Sequence, residues 1–253
     1  DGEIPWITSA DIHGLKDIRP RKQITKSGID SSATHLVPSG SLIVVTRVSL
    51  GKIALTNVPL CFSQDSQALV GNNLLIDPGY ALYYLSIAVQ AFKFENRGTT
   101  IAGVTKKQLA EVPFSFPPLP EQRRIVARIE ELFTRLDAGI EALNIGATGR
   151  SPLLKRYRQS VLKAAFEGNL TAEWREAHKG ELEPASVLLE KIKAERKNNP
   201  TRMGDPNTVH RRGDRPVAPT MDTSGLPELP EGWVWTRIGE LYDIVGGGTP
   251  STS

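Results

Sequence analysis

The strongest constraint on this chain is an apolar stripe. From Pro117 to Leu143 the sequence reads PPLPEQRRIVARIEELFTRLDAGIEAL, and Ile125, Ile129, Leu132, Leu136 and Leu143 follow at spacings of four, three, four and seven. That rhythm puts the apolar residues on one side of an α-helix, the pattern by which one helix faces another in a coiled coil. A second helical run, LLKRYRQSVLKAAFEGNL, stops at Gly168, and Gly146, Gly149 and Pro152 lie between the two. Interior Gly and Pro disfavour a straight helix. The pattern predicts a projecting helix from about Glu121 to Phe166 with a kink or short break between Asn144 and Pro152. If continuous it would be roughly 70 Å long.

Around this helix the chain divides by composition. Residues 1–116 read as mixed α and β. The apolar run Ser41 to Arg47 follows Pro38-Ser-Gly as a buried strand, and Lys52 to Thr56 follows Gly51 as its hairpin partner. Asp77 and Pro78 open a helix, one as cap and the other in the first turn, with Leu82, Leu85, Val89 and Phe92 on the buried face. Thr105 and Gln108 have the spacing of a capping box for a short helix through Ala110. Pro113 to Pro120 is extended and leads into the long helix. Residues 117–168 form the helical spacer and 169–197 a helical extension, with a short helix over 184–197. Residues 198–225, rich in Pro, Gly and charge, read as a flexible linker. Residues 226–253 are structured again: a strand and then a helical turn or bend within Gly232 to Val245, ahead of GGGTPSTS. Trp6, Trp233 and Trp235 are expected in the core or at an interface.

Charge points to a partner. The net charge is only +3, but the basic residues cluster. Lys16, Arg19, Arg21, Lys22 and Lys26 face only Asp17 within their span; Lys155, Arg156 and Arg158 form a second group, and Arg202, His210, Arg211, Arg212 and Arg215 a third. Such clusters suit a polyanion, although a solvated surface or linker would also carry them. Catalytic and metal-binding patterns are missing. Gly246 to Gly248 is followed by no Lys-Ser/Thr, so a phosphate loop fails. Cys61 is the single cysteine, and His13, His35, His178 and His210 have no metal spacing. No cofactor and no metal are expected. A lone cysteine fits a reducing, cytoplasmic compartment, and no apolar run reaches the roughly 20 residues that span a membrane. The chain does not begin with Met, which points to a fragment or a processed form.

Four segments together carry a resemblance. Leu226 to Ser251 contains LPEGWVWTRIGEL and GGGTPS; Asp1 to Ile12 reads DGEIPWITSADI; Gly98 to Val126 reads GTTIAGVTKKQLAEVPFSFPPLPEQRRIV; and LLKRYRQSVLKAAFEGNLTAEWR is followed by LLEKIKAER. In this combination the chain resembles the specificity subunit of type I restriction–modification systems. The resemblance implies an α/β target recognition domain plus a long α-helical coiled-coil spacer. It implies a non-catalytic module that binds double-stranded DNA and directs methylation and restriction to a bipartite target, with modification (methyltransferase) and restriction subunits as partners. A specificity portion of a fused restriction–methylation enzyme and a coiled-coil adaptor without a DNA role stand as alternatives. In the family pattern the segment at the C-terminus here precedes the one at the N-terminus. This fits either the middle of a full subunit or a circular permutant, and closure of both segments into one recognition domain is the favoured reading. With a single spacer of this kind, an antiparallel homodimer through Ile125, Ile129, Leu132, Leu136 and Leu143 is expected.

DNA readers must be polar or basic and must project. Three segments offer such residues. Lys16, Arg19, Arg21, Lys22, Gln23 and Lys26 lie in an expected surface loop. Arg47, Ser49 and Lys52 lie at a strand turn. Asn96, Arg97, Thr99 and Thr100 follow a helix end, where Gly98 permits close backbone approach; Thr99 and Thr100 also belong to the family pattern and can serve the fold. Arg47, Lys52 and Arg97 lead the set.

Overall fold

The chain is organised around a strand with no polar face. Leu42–Val45 is buried at every position, which requires protein on both sides of its sheet. The computed structural model describes residues 2–95, 103–142, 152–198 and 221–250. In chain order the elements are β1 (Ile4–Ile7), β2 (Ile12–Gly14), β3 (Asp17–Ile18), β4 (Lys22–Ile24), α1 (Lys26–Asp30), β5 (Leu42–Val45), β6 (Ile53–Leu55), β7 (Cys61–Phe62), β8 (Ser66–Val70), α2 (Pro78–Glu95), α3 (Lys106–Ala110), β9 (Pro113–Phe116), α4 (Leu119–Ala142), α5 (Pro152–Phe166), α6 (Ala172–Ala177), α7 (Ala185–Asn198), β10 (Val234–Arg237), α8 (Ile238–Leu241) and β11 (Asp243–Gly246).

The central sheet is antiparallel with the order β11-β8-β5-β6. Side chains alternate across it. Leu42, Val44, Ile53, Leu69 and Ile244 join the helices in one core. Ile43, Val45, Ala54, Ala68 and Val245 face the other way, onto Ile7, Val37, Leu60 and Phe62. That second layer is a small sheet of order β4-β1-β7. The C-terminal segment belongs to the same body: β11 pairs with β8, and β10 pairs with β9 through Val234 opposite Phe116.

Local signals set the helix starts. Asp77 accepts from the Tyr80 amide at 2.9 Å, and Thr105 and Gln108 form the reciprocal box. Leu82, Leu85 and Val89 are buried, and Phe92 packs partly against them. The Tyr80 and Tyr84 hydroxyls donate to the carbonyls of Ser115 and Pro113 at 2.8 and 2.9 Å, which fixes α2 against β9.

Three expectations need correction. The stripe is not an outward seam along its whole length: Ile125 and Ile129 are fully buried in this chain's own core, with Leu85 and Leu162. Leu132 packs partly against that core, Leu136 is half-buried, and Leu143 lies outside the described residues. Nor do the two helical runs project end to end: α4 is described to Ala142 and α5 from Pro152, on either side of the expected break, and the two run antiparallel, because Glu121 meets Thr171 while Asp137 pairs with Arg158. The apolar face of α5 thereby covers α4 within the chain. Finally, Lys16 to Lys26 is not a loop. It carries β3, β4 and the start of α1, since β4 pairs with β1 and buries Ile24 beside Trp6 and Cys61. Of the expected linker, Asn198 closes α7 and residues 199–220 lie outside the described residues.

Candidate nucleic-acid interface

The turn between β5 and β6 is held at its base and bare at its tip. The Thr46 and Arg47 amides donate to the Asp65 carbonyl at 2.9 and 3.2 Å, and the Val104 amide donates to the Thr46 carbonyl at 2.8 Å. On the other side Gln90 donates to the Gly51 carbonyl at 2.8 Å, and Leu50 packs against the core. Arg47, Val48 and Ser49 project, all exposed. Ser49 has φ 63°, a left-handed conformation uncommon for a residue with a side chain. A Cβ on Gly103 would fall 2.7 Å from the Thr46 carbonyl oxygen, so the returning chain approaches this turn closely and needs glycine there.

The same end of the sheet receives the strap that follows β11. The Gly247 and Gly248 amides donate to the carbonyls of Ser66 and Phe62 at 3.2 and 3.0 Å, and the Trp6 indole donates to the Gly248 carbonyl at 3.2 Å. The His35 Nδ1 donates to the Gly246 carbonyl at 3.1 Å. Lys22 stands over the other face of this junction, its ammonium 5.7 Å from the centre of a Trp6 ring.

The basic residues differ in how they are already engaged. Arg19 grips Asp17 with two hydrogen bonds of 2.9 and 2.8 Å; both groups are largely exposed, so this pair is weak and can open to another anion. Lys16 pairs with Glu130 on α4 and lies 5.9 Å from the Tyr83 ring centre. Arg21 covers the buried carboxylate of Asp11. Burial pushes the Asp11 carboxyl up, but the Thr8 amide and hydroxyl and the Arg21 guanidinium outweigh it and hold it below the ordinary aspartate value. Lys52 is turned inward: its ammonium donates to the carbonyls of Ser9 and Ile12 at 2.9 and 3.1 Å, tying β6 to the turn before β2. Among the described residues, Arg47, Lys22 and Lys26 are the basic members of the expected set held neither by a carboxylate nor, as Lys52 is, by backbone carbonyls. Gln23 is exposed on β4, an edge strand. Asn96, Arg97, Thr99 and Thr100 lie outside the described residues, as does the third basic cluster.

Sequence reasoning assigned no role to Glu121, which ties the body together. Its carboxylate is fully buried and accepts from Thr171 at 2.8 Å, Arg175 at 3.1 Å and the Trp233 indole at 2.7 Å. Arg175 also donates to the Gly168 carbonyl at 2.7 Å and lies over the Trp233 ring. Three separate segments thus meet on one carboxylate. The signal available in the sequence was an acidic residue in the first turn of a helix that begins inside a proline-rich stretch, and it named no partner. No group of His, Cys, Asp and Glu able to hold a metal occurs among the described residues, and no described helix is long and apolar enough to cross a membrane.

Residues 1–144 match the family of the type I restriction modification DNA specificity domain. The EcoDI specificity subunit of a type I restriction enzyme from Escherichia coli is 43% identical over 181 residues, covering 68% of this chain and 38% of its own length. The EcoBI specificity subunit, also from Escherichia coli, is 42% identical over 203 residues, covering 76% of this chain and 42% of its own. The chain therefore spans about two fifths of these relatives. A solved HsdS subunit from Thermoanaerobacter tengcongensis is 25% identical over a match of 66% of this chain and 38% of that one, with a TM-score of 0.46.

Proposed function

The chain belongs to the type I restriction–modification DNA specificity family, and we propose that it supplies one target recognition domain that reads a half-site of double-stranded DNA. The observation that carries this reading is the β5–β6 turn: a clamped base, an exposed Arg47 with no carboxylate partner among the described residues, and an exposed Ser49 beside it. A guanidinium can donate two hydrogen bonds to the O6 and N7 of a guanine, and a hydroxyl can serve several base edges. Arg47 and Ser49 are the proposed base readers. Lys22, Lys26, Gln23, Arg19 and Lys16 are the proposed phosphate contacts, the last two by exchanging an exposed carboxylate for phosphate. Asn96, Arg97, Thr99 and Thr100 remain proposed contacts on sequence grounds. Arg21 and Lys52 are assigned to the fold, because Asp11 and two carbonyls hold them.

Two copies would read two half-sites. The distal part of the α4–α5 hairpin leaves Leu136 and Ile140 half-buried and Leu153 72% exposed, which supports self-association through an antiparallel coiled coil of spacer helices. Modification and restriction subunits are the further proposed partners, within the cytoplasm where the DNA lies. The reading is tested by selecting bound duplexes from a random library, with the modification subunits present. We expect one enriched motif and an affinity that falls steeply with salt. Arg47→Ala should relax the motif at one position and cost about 1–3 kcal/mol there, whereas Lys22→Ala should weaken all duplexes alike and lower the salt slope by about one. A library recovered without any motif would overturn it.

A further inference from the structure

Val48 occupies the tip between Arg47 and Ser49 and is 68% exposed. Other large apolar side chains are also exposed, but they lie elsewhere. Leu36 lies in the segment between α1 and β5, next to the bridge of Val37 with Leu60, Val58 and Leu74 follow the last residues of β6 and β8, at the opposite end of the sheet, and Ile87, Leu153, Tyr157 and Val187 lie on helices. Among the described residues, Val48 is the one in the same turn as a guanidinium without a carboxylate. Among the described residues it belongs to no hydrophobic cluster. The turn is anchored from both flanks, by Asp65 and Val104 on one side and Gln90 on the other, so the tip holds its shape without burying Val48. Ser49 keeps a left-handed backbone at the summit, and strain of that kind persists where the surroundings over-determine it. An apolar group presented rigidly beside a base-reading arginine has one apolar counterpart in the major groove, the 5-methyl group of thymine.

We propose that Val48 is a specificity-determining residue that packs against a thymine methyl next to the base pair read by Arg47. This rests on the reading of the turn as the DNA-facing element and names what its apolar member recognises. The two side chains would then read adjacent base pairs by different chemistry, a donor pair for one and a methyl contact for the other.

The test starts from the duplex selected by the chain with its modification subunits. Each thymine is replaced singly by deoxyuracil, which removes only the methyl, and Kd is measured for the parent chain and for Val48→Ser. At one thymine beside the Arg47-dependent position, the parent chain should lose about threefold to tenfold on methyl removal. Val48→Ser should bind the thymine duplex more weakly by a similar factor and be indifferent to the deoxyuracil exchange. Val48→Ala should fall between them, and all variants should melt at the parent temperature, since the site is exposed. The proposal is overturned if Val48→Ser keeps the parent's dependence on every thymine methyl, or if the selected half-site has no A·T pair beside the Arg47 position. It is also overturned if the variant binds all duplexes as the parent does but loses the modification subunits, which would make the tip a protein contact. Failure to select any sequence would refute the DNA-reading turn itself, whereas a clear motif with no Val48 effect would refute only the methyl contact.

Discussion

Glu121 shows how a single residue can hold three segments at once. A carboxylate with no access to water is costly unless it is paired and hydrogen-bonded, and here a guanidinium, a hydroxyl and an indole donate to it. Removing one partner of such a group is worse than never having built it, because the others are left buried and unsatisfied. Glu121→Ala should therefore destabilise the fold by about 3–5 kcal/mol, read as a shift in urea midpoint. Thr171→Val, which removes one neutral donor and keeps the charge pair, should cost about 1 kcal/mol. Equal losses for the two would contradict the account. At this scale the sequence was only partly legible. Arg47 could be placed at a projecting turn because Gly51 and the flanking apolar runs mark one locally. What could not be read was which basic residues are already spent: Lys16 meets Glu130 across 114 positions, and Lys52 turns onto the carbonyls of Ser9 and Ile12. Such pairings are decided by the fold rather than by neighbours in the chain.

At the scale of elements, legibility follows how local the cause is. The starts of α2 and α3 were readable because Asp77, Thr105 and Gln108 cap residues no more than three positions away. Strand β8 was not, since Ser66–Val70 has little strand character of its own and owes its state to pairing with β5 on one side and β11 on the other. The apolar stripe of α4 was correctly seen as helical, but periodicity does not say what covers it. The first turns pack into the chain's own core, and α5 folds back along the rest. Two substitutions separate these environments. Ile129→Asp should abolish folding, because it buries an unpaired charge in a site with no exposure. Leu136→Asp, at a half-buried position on the distal hairpin, should leave the melting temperature within a few degrees of the parent. It should also convert a dimer into a monomer by light scattering at tens of micromolar. A parent chain that is strictly monomeric under those conditions would refute self-association through the hairpin.

At the scale of the whole molecule, the closure of the two ends into one body matters most. β11 lies beside β8, β10 beside β9, and the strap after β11 reaches Trp6 near the start of the chain. The candidate DNA face forms at that closed end of the sheet, so its geometry depends on segments more than two hundred positions apart. Doubling this body by a twofold axis would present two such faces, with the helical hairpins setting their separation. Twofold symmetry in the protein requires an inverted repeat in the DNA, with half-site centres roughly 34–36 Å apart if the faces fall on successive turns of one groove. The most direct test is methylation by the reconstituted complex on a library in which the selected half-site is repeated in inverted orientation across a range of spacer lengths. The account predicts modification confined to one spacer length, or to one and its immediate neighbours. Modification indifferent to spacer length, or falling on sequences with no shared half-site, would contradict it.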